Sequence, residues 1–222
     1  MSNASVREKV YANDGNPEVL RWVPSSARRI LDLGCGAGGN AAALSGRVER
    51  IEGVTLSEEE ASRAREVCHE VFVHNLEEGL PRDTHPPYDV VLASHVLEHI
   101  CFPEKLLRDV ATQLTPGGTL IDALPNLMNF KFRIPLIMGR FEYQNGGIMD
   151  NTHFRWYTFK SGRRLLEAHG FRVVRAYASG HFPLPFIGRL MPPAIRRWID
   201  LGATRFSPGF FGVQLIYVAV KD

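Results

Sequence analysis

Short apolar runs recur along the chain and alternate with segments of helical character. Ile30, Leu31 and Leu33 form the first run, and Val90 to Ala93, Leu120 to Leu124 and Leu215 to Val220 are later ones. Continuous apolar runs of this length suit strands covered on both faces. Strands are expected at 29–33, 48–55, 70–73, 88–93, 119–124, 171–177 and 212–220. Helices are expected between them. Pro17 opens one that Pro24 ends, and a short one runs from Asn40 to Ser45. Ser57 caps another, with Glu58, Glu59 and Glu60 in its first turn. Pro103 opens a fourth, and Gly170 closes a fifth that starts near Thr158. Strands alternating with helices predict an α/β fold, a mostly parallel sheet with helices on both faces.

Two stretches break the rhythm. Residues 126–150 read as an insertion, and residues 179–210 as a second irregular, proline-rich segment. Phe130, Phe132, Ile137, Met138 and Phe141 stand among Lys131, Arg133 and Arg140 in the first. Phe182, Trp198, Phe206 and Phe211 stand among Arg196, Arg197 and Arg205 in the second. A lid over the sheet's edge is the expectation. Contact with a membrane surface is the alternative, since basic residues beside exposed aromatics suit anionic headgroups.

The sharpest local signal follows the first strand. Gly34, Gly36, Gly38 and Gly39 occupy four of six positions, and a helix begins at once. Glycine permits positive φ and close approach of a ligand to the main chain, and the helix start offers free N–H groups. Asp32 lies at the strand's carboxyl end, where open α/β sheets bind ligands. Gly34-x-Gly36-x-x-Gly39 also satisfies a dinucleotide fingerprint. A carboxylate at Asp32, however, suits an ammonium group better than a pyrophosphate.

Composition narrows the classes. A chain of 222 residues with 45% apolar and 23% charged residues is ordinary globular chemistry, and one domain over 1–222 is expected. A net charge of +2 argues against nucleic acid as partner. Cys35, Cys68 and Cys101 have neither disulfide nor zinc spacing, and a reducing cytoplasm is the simplest location. No leader and no run of ~18 apolar residues is evident.

The ordered motifs resemble the class I S-adenosylmethionine (SAM)-dependent methyltransferases. Asp32-Leu33-Gly34-Cys35-Gly36-Ala37-Gly38 is similar to their first motif, and Gly53-Val54-Thr55-Leu56-Ser57 to the end of their second strand. Asn75-Leu76-Glu77-Glu78 resembles the loop after the third strand, and Tyr88 to His99 the fourth motif. Leu114-Thr115-Pro116-Gly117-Gly118 resembles the turn before the fifth strand. A narrower likeness lies in Asp150-Asn151-Thr152-His153-Phe154-Arg155-Trp156-Tyr157-Thr158. It resembles a D-x-T-H-x-R-x-x-T signature of a subgroup linked to glycan or secondary-metabolite assembly.

The resemblance implies a Rossmann-like three-layer αβα sandwich with strand order 3-2-1-4-5-7-6 and strand 7 antiparallel. It implies SAM as cofactor and S-adenosylhomocysteine (SAH) as product. Asp32 with the backbone of Gly34, Cys35, Gly36 and Gly38 would hold the methionine part. Thr55 and Leu56 would meet the ribose, and Asn75 and Leu76 the adenine. Ser94 and Tyr11 complete the expected set. Thr55 and Asn75 stand where the family carries acids, and Glu52 and Glu60 are the nearby acids that might substitute.

For chemistry, two groups stand out. His95, Glu98 and His99 follow the fourth strand at i, i+3 and i+4. They also form a legitimate metal-ligand set, but no further Asp or Cys joins them and no metal is expected. His153, Arg155 and Tyr157 precede the fifth helix. His153 is a candidate base and Arg155 a candidate grip for an anionic or sugar group. The expected reaction is methyl transfer to an oxygen of a small-molecule acceptor: a sugar, a secondary metabolite or a lipid- or carrier-linked intermediate. The rival readings are a nicotinamide-dependent oxidoreductase and a non-catalytic SAM-binding protein.

Overall fold

The computed structural model describes residues 14–183 and 191–221. In chain order the elements are α1 (Pro17–Leu20), β1 (Arg29–Leu33), α2 (Gly39–Leu44), β2 (Arg50–Thr55), α3 (Glu58–Ala64) and β3 (Glu70–Val73). They continue with β4 (Tyr88–Ser94), α4 (Pro103–Gln113), β5 (Leu114–Pro125), α5 (Phe130–Ile137), α6 (Phe159–Glu167) and β6 (Phe171–Gly180). The last are α7 (Pro193–Phe206), α8 (Pro208–Phe211) and β7 (Gly212–Lys221). Single 3-10 turns at Leu76–Glu78 and Leu97–His99 follow β3 and β4.

The sheet has order β3-β2-β1-β4-β5-β7-β6. The strands from β3 to β5 pair in parallel, and β7 runs antiparallel to both β5 and β6. Alternate residues of each central strand feed opposite cores. Leu31, Val91 and Leu120 face a core shared with α4 and α6, while Ile30, Val90 and Ile121 face one closed by α1 to α3. The central strands are buried on both sides, as their continuous apolar runs require.

Local rules account for the helix starts. Ser57 accepts from Glu60 N at α3, and Thr158 exchanges a reciprocal capping pair with Ser161 at α6. Gly162 is a packing requirement, because a Cβ there would lie 2.7 Å from Tyr217 Oη.

Three expectations change. The segment 126–150 contains the helix α5, and the segment 179–210 contains the 14-residue helix α7. The first was read as an insertion and the second as irregular and proline-rich, yet α7 carries its proline at the first helical position, where no N–H is needed. The fifth strand begins at Leu114 rather than Thr119 and pairs Leu114 with Tyr88 before a register shift. Among the described residues no helix is long and apolar enough to cross a membrane.

At the amino end of β2, Glu52 is fully buried and bonded to Tyr88 Oη, Arg50 and His85. Burial pushes its carboxyl up, but the hydrogen bonds from Tyr88 and Arg50 prevail and hold it low. Glu52 lies three residues, about 10 Å of strand, from Thr55. Of the two acids named as substitutes at the ribose position, Glu52 is therefore at the wrong end.

Candidate functional site

The turn after β1 is built from left-handed backbone, with φ of 64° at Gly34, 53° at Gly36 and 86° at Gly38. L-residues strongly disfavour these angles, so the glycines are a backbone requirement. Beside them Asp32 is fully buried, and both its oxygens accept from Asn40 Nδ2 at 3.2 Å. Burial raises its pKa to about 7, with the Asn40 bond pulling the other way. A carboxyl poised in this way is short of a cation. Asn40 Oδ1 in turn accepts from Asn16 N at 2.9 Å. Asn16 Nδ2 reaches Ser94 Oγ at 2.9 Å and Gln214 Oε1 at 3.1 Å. A polar chain thus links β1, α2, β4 and β7 at the sheet's carboxyl end. The Cys35 side chain turns away from it. Its Sγ sits against Cys68, leaves 2.6 Å for a Cβ at Gly53 and donates to Gly36 O at 3.6 Å within the turn.

A cavity of about 560 Å3 opens at the ends of β2 and β3, lined by Leu56, Ser57, Val73, His74 and Asn75 among others. Its size suits an adenosine. Thr55 is buried, and its hydroxyl donates to Glu60 Oε2. Glu60, itself only 5% exposed, brings a carboxylate from α3 to the strand end where the sequence lacks one. Asn75 Oδ1 caps the 3-10 turn by accepting from Glu77 N at 3.1 Å, which leaves it one further lone pair. Leu76 is buried in the core. Tyr11 lies outside the described residues.

After β4, His95 has φ of 58°, the only positive value at a non-glycine among the described residues. Such backbone costs about 1–3 kcal/mol and collects at functional sites. Its N–H bonds Ala123 O at 2.9 Å. Its Nδ1 lies 3.2 Å from Glu98 Oε1 and its Nε2 3.1 Å from Gln214 Oε1. Burial opposes charge on this ring, but the Glu98 carboxylate outweighs it and the pKa is raised. The side chain keeps 42% of its surface open. Glu98 is fully buried, and its Oε2 has no hydrogen-bond partner.

The loop 150–157 folds over this turn, with Phe154 N and Arg155 N both donating to Glu98 O. His153 is 7% exposed, and its Nδ1 lies 3.0 Å from Ile148 O. Burial, then the neighbouring His99, lower its pKa. Arg155 Nε donates to Cys101 O at 2.6 Å, and its guanidinium pairs with Glu104. Tyr157 is buried with its hydroxyl 3.4 Å from Leu97 O, and burial pushes its phenol well up. These three side chains anchor the loop. Among the described residues Glu98, His99 and His153 bring ligand atoms within 4.8 Å of one another, a group that does not include His95, the third member of the alternative set named from the sequence. On the same side of the sheet Asp122 is fully buried with neither oxygen bonded. Burial and the Glu98 charge push its carboxyl well up.

Sequence reasoning passed over Asn16, Asn40, Gln214 and Asp122. Asn40, directly after the glycine turn, and Asp122 and Gln214, polar breaks in apolar strands, were the available signals. Asn16 had one too, as the residue before a helix-opening proline.

A family model described as methyltransferase domain matches residues 8–176. The chain is 30% identical over 155 residues to a ubiquinone biosynthesis O-methyltransferase of Aeromonas salmonicida, covering 62% of this chain and 61% of the relative. A protein of the same description from Azoarcus sp. is 30% identical over 154 residues, covering 62% of each. The chain thus spans about three-fifths of the length of these curated relatives. In fold it is similar to a SAM-dependent methyltransferase from Archaeoglobus fulgidus, with TM-score 0.65 at 20% identity over 92% of this chain and 91% of that one. It is also similar to magnesium protoporphyrin IX methyltransferase from Synechocystis with bound SAH, with TM-score 0.59 at 16% identity, covering 92% and 81%. The buried carboxyl short of a cation, the left-handed glycine turn and the adenosine-sized cavity fit the cofactor of that fold. With the family match over 8–176, they make this chain a member of the methyltransferase-domain family, with the fold of the SAM-dependent methyltransferases.

Proposed function

We propose that the chain moves a methyl group onto a hydroxyl oxygen of a small-molecule acceptor, with His95 as the base and Glu98 orienting it. The observation that carries this reading is His95 itself. It is a strained, half-open imidazole at the end of β4, tied through Nδ1 to a fully buried carboxylate. That pairing fixes the ring, stabilises its protonated form and leaves Nε2 on the open side. SAM supplies a methyl already activated on a sulfonium. Asp32 and the glycine turn receive the ammonium end, and Glu60 with Thr55 takes the ribose hydroxyls. The base form is the neutral ring, with its one proton on Nδ1 against Glu98 and its Nε2 proton, held by Gln214 Oε1, released to solvent. The acceptor hydroxyl would then replace Gln214 beside Nε2 and give that nitrogen its proton as its oxygen takes the methyl and the sulfur leaves as S-adenosylhomocysteine. Support for oxygen comes from the relatives, described as O-methyltransferases.

The exposed apolar residues flanking the site support an amphipathic or carrier-linked acceptor. Ile137 on α5 is 80% exposed, and Trp198 and Phe206 on α7 are 78% and 89% exposed, beside Arg196 and Arg197. The two inserted helices act as its lid.

The test is transfer of labelled methyl from SAM to a panel of phenols, sugars and lipid-linked alcohols, with wild type and His95→Ala. The variant is expected to lose about 100-fold or more in turnover at unchanged SAH affinity. Equal turnover in the two proteins would remove His95 as the base.

A further inference from the structure

The run Asp150-Asn151-Thr152-His153 takes no part in the chemistry above, yet its hydrogen bonds are arranged around a single point. Asp150 Oδ1 accepts from Thr152 N at 2.9 Å and from Thr152 Oγ1 at 2.7 Å. With its proton committed there, Thr152 Oγ1 accepts from His99 Nδ1 at 3.1 Å, and Thr152 O lies 3.2 Å from the same nitrogen. His153 Nδ1 faces Ile148 O at 3.0 Å. A carbonyl oxygen has no proton to give, so both rings carry theirs on Nδ1 and hold a lone pair on Nε2. Among the described residues no hydrogen bond engages either Nε2.

Glu98 completes the point. It is fully buried, its Oε1 is taken by His95 and its Oε2 has no partner. The ligand atoms of Glu98, His99 and His153 lie within 4.8 Å of one another, and the two rings meet edge to face at 4.6 Å. Glu98 Oε2 is thus a buried acceptor without a donor, gathered with two imidazoles whose Nδ1 atoms are already engaged. Such an arrangement is costly unless a cation fills it.

We propose that Glu98 Oε2 and the Nε2 atoms of His99 and His153 bind a divalent transition metal of the zinc class. Two imidazoles and a carboxylate are a recognised donor set for it. The supporting bonds are those that metal histidines use: a backbone carbonyl or a held hydroxyl on the far ring nitrogen. Bonds of about 2.0–2.1 Å set tetrahedral ligands roughly 3.4 Å apart, so the three side chains need to close by an ångström or so. His99 is only half-buried, and its side of the pocket leaves the fourth position for water. The metal would pin the loop 150–155 onto the turn that carries His95. The sequence alone pointed to no metal and, failing that, to His95 in place of His153.

The full chain, stripped with chelator, is titrated calorimetrically with Zn2+ alone and followed with Co2+ by visible absorption. One metal per chain is expected, with cobalt bands of a low-coordinate nitrogen and oxygen site. His153→Gln and His99→Gln are expected to weaken binding more than about 100-fold, and His95→Ala to keep it. SAH binding to each metal-free protein checks folding and reads the cofactor site separately, so failure of one assignment leaves the other standing. Absence of stoichiometric metal in wild type, equal binding by the folded His153→Gln and His99→Gln variants, or loss of binding in His95→Ala would each overturn the assignment.

Discussion

Asp32→Asn separates the cost of the buried carboxyl from its use. In the folded chain free of cofactor, Asp32 titrates at about 7 against 3.8 for an ordinary carboxyl. The folded state therefore binds a proton more tightly than the unfolded state, and stability falls as pH rises from about 4 to 7. At 1.36 kcal/mol per pH unit the full cost above pH 7 is about 4 kcal/mol, an order-of-magnitude figure. Asparagine removes the charge at equal size. It also weakens the double acceptance from Asn40, whose own oxygen is held by Asn16 N and so resists an amide flip. Setting ~1.5–3 kcal/mol for that loss against the gain leaves a net stabilisation of roughly 1–3 kcal/mol at pH 8. For a chain of this size that raises the melting temperature by about 3–10 °C.

The assay is chemical denaturation of both proteins without cofactor from pH 5 to 8, followed by SAH calorimetry. The difference between wild type and variant should grow with pH and level off above 7. Wild-type SAH affinity should rise with pH to the same point, and the variant should lose about 10- to 100-fold. A difference in stability that does not change with pH, or undiminished SAH affinity in the variant, would refute the placing of a buried carboxyl against the cofactor's ammonium group.

Two further outcomes follow from the same structure. Glu60→Gln should weaken SAH by about tenfold, the size of one charged hydrogen bond, with little change in melting; calorimetry giving wild-type affinity would show that Glu60 serves only Thr55. Tyr88→Phe strips a hydrogen bond from the fully buried Glu52 and should cost ~1.5–3 kcal/mol in denaturant unfolding, with SAH affinity unchanged because this network lies at the opposite end of β2.

The sheet was legible from the chain because its signals are local. Apolar runs buried on both faces, a proline or a capping residue at helix starts and glycines where φ must be positive all act within a few residues. The resemblance carried by the ordered motifs implied the strand order, and Asp32 lies at the end of β1 before the glycine turn. The helix α7 was hidden in a proline-rich stretch whose Pro193 in fact suits a helix start, and α5 forms within the expected insertion in spite of Pro135.

The site was less legible, since its chemistry depends on pairs far apart in the chain. Nothing local tells that Gln214 meets His95 across 119 residues, or that Glu60 rather than Glu52 reaches Thr55. The same holds for His153, a candidate base in the sequence, whose burial follows only from the loop 150–157 lying on Glu98. Residue types and their spacing fixed which groups this protein has for binding a cofactor and moving a proton. Tertiary packing decided which of them are dry, which are paired and which face each other. Burial and distance set the energy of a charge, and neither is a property of neighbours in sequence.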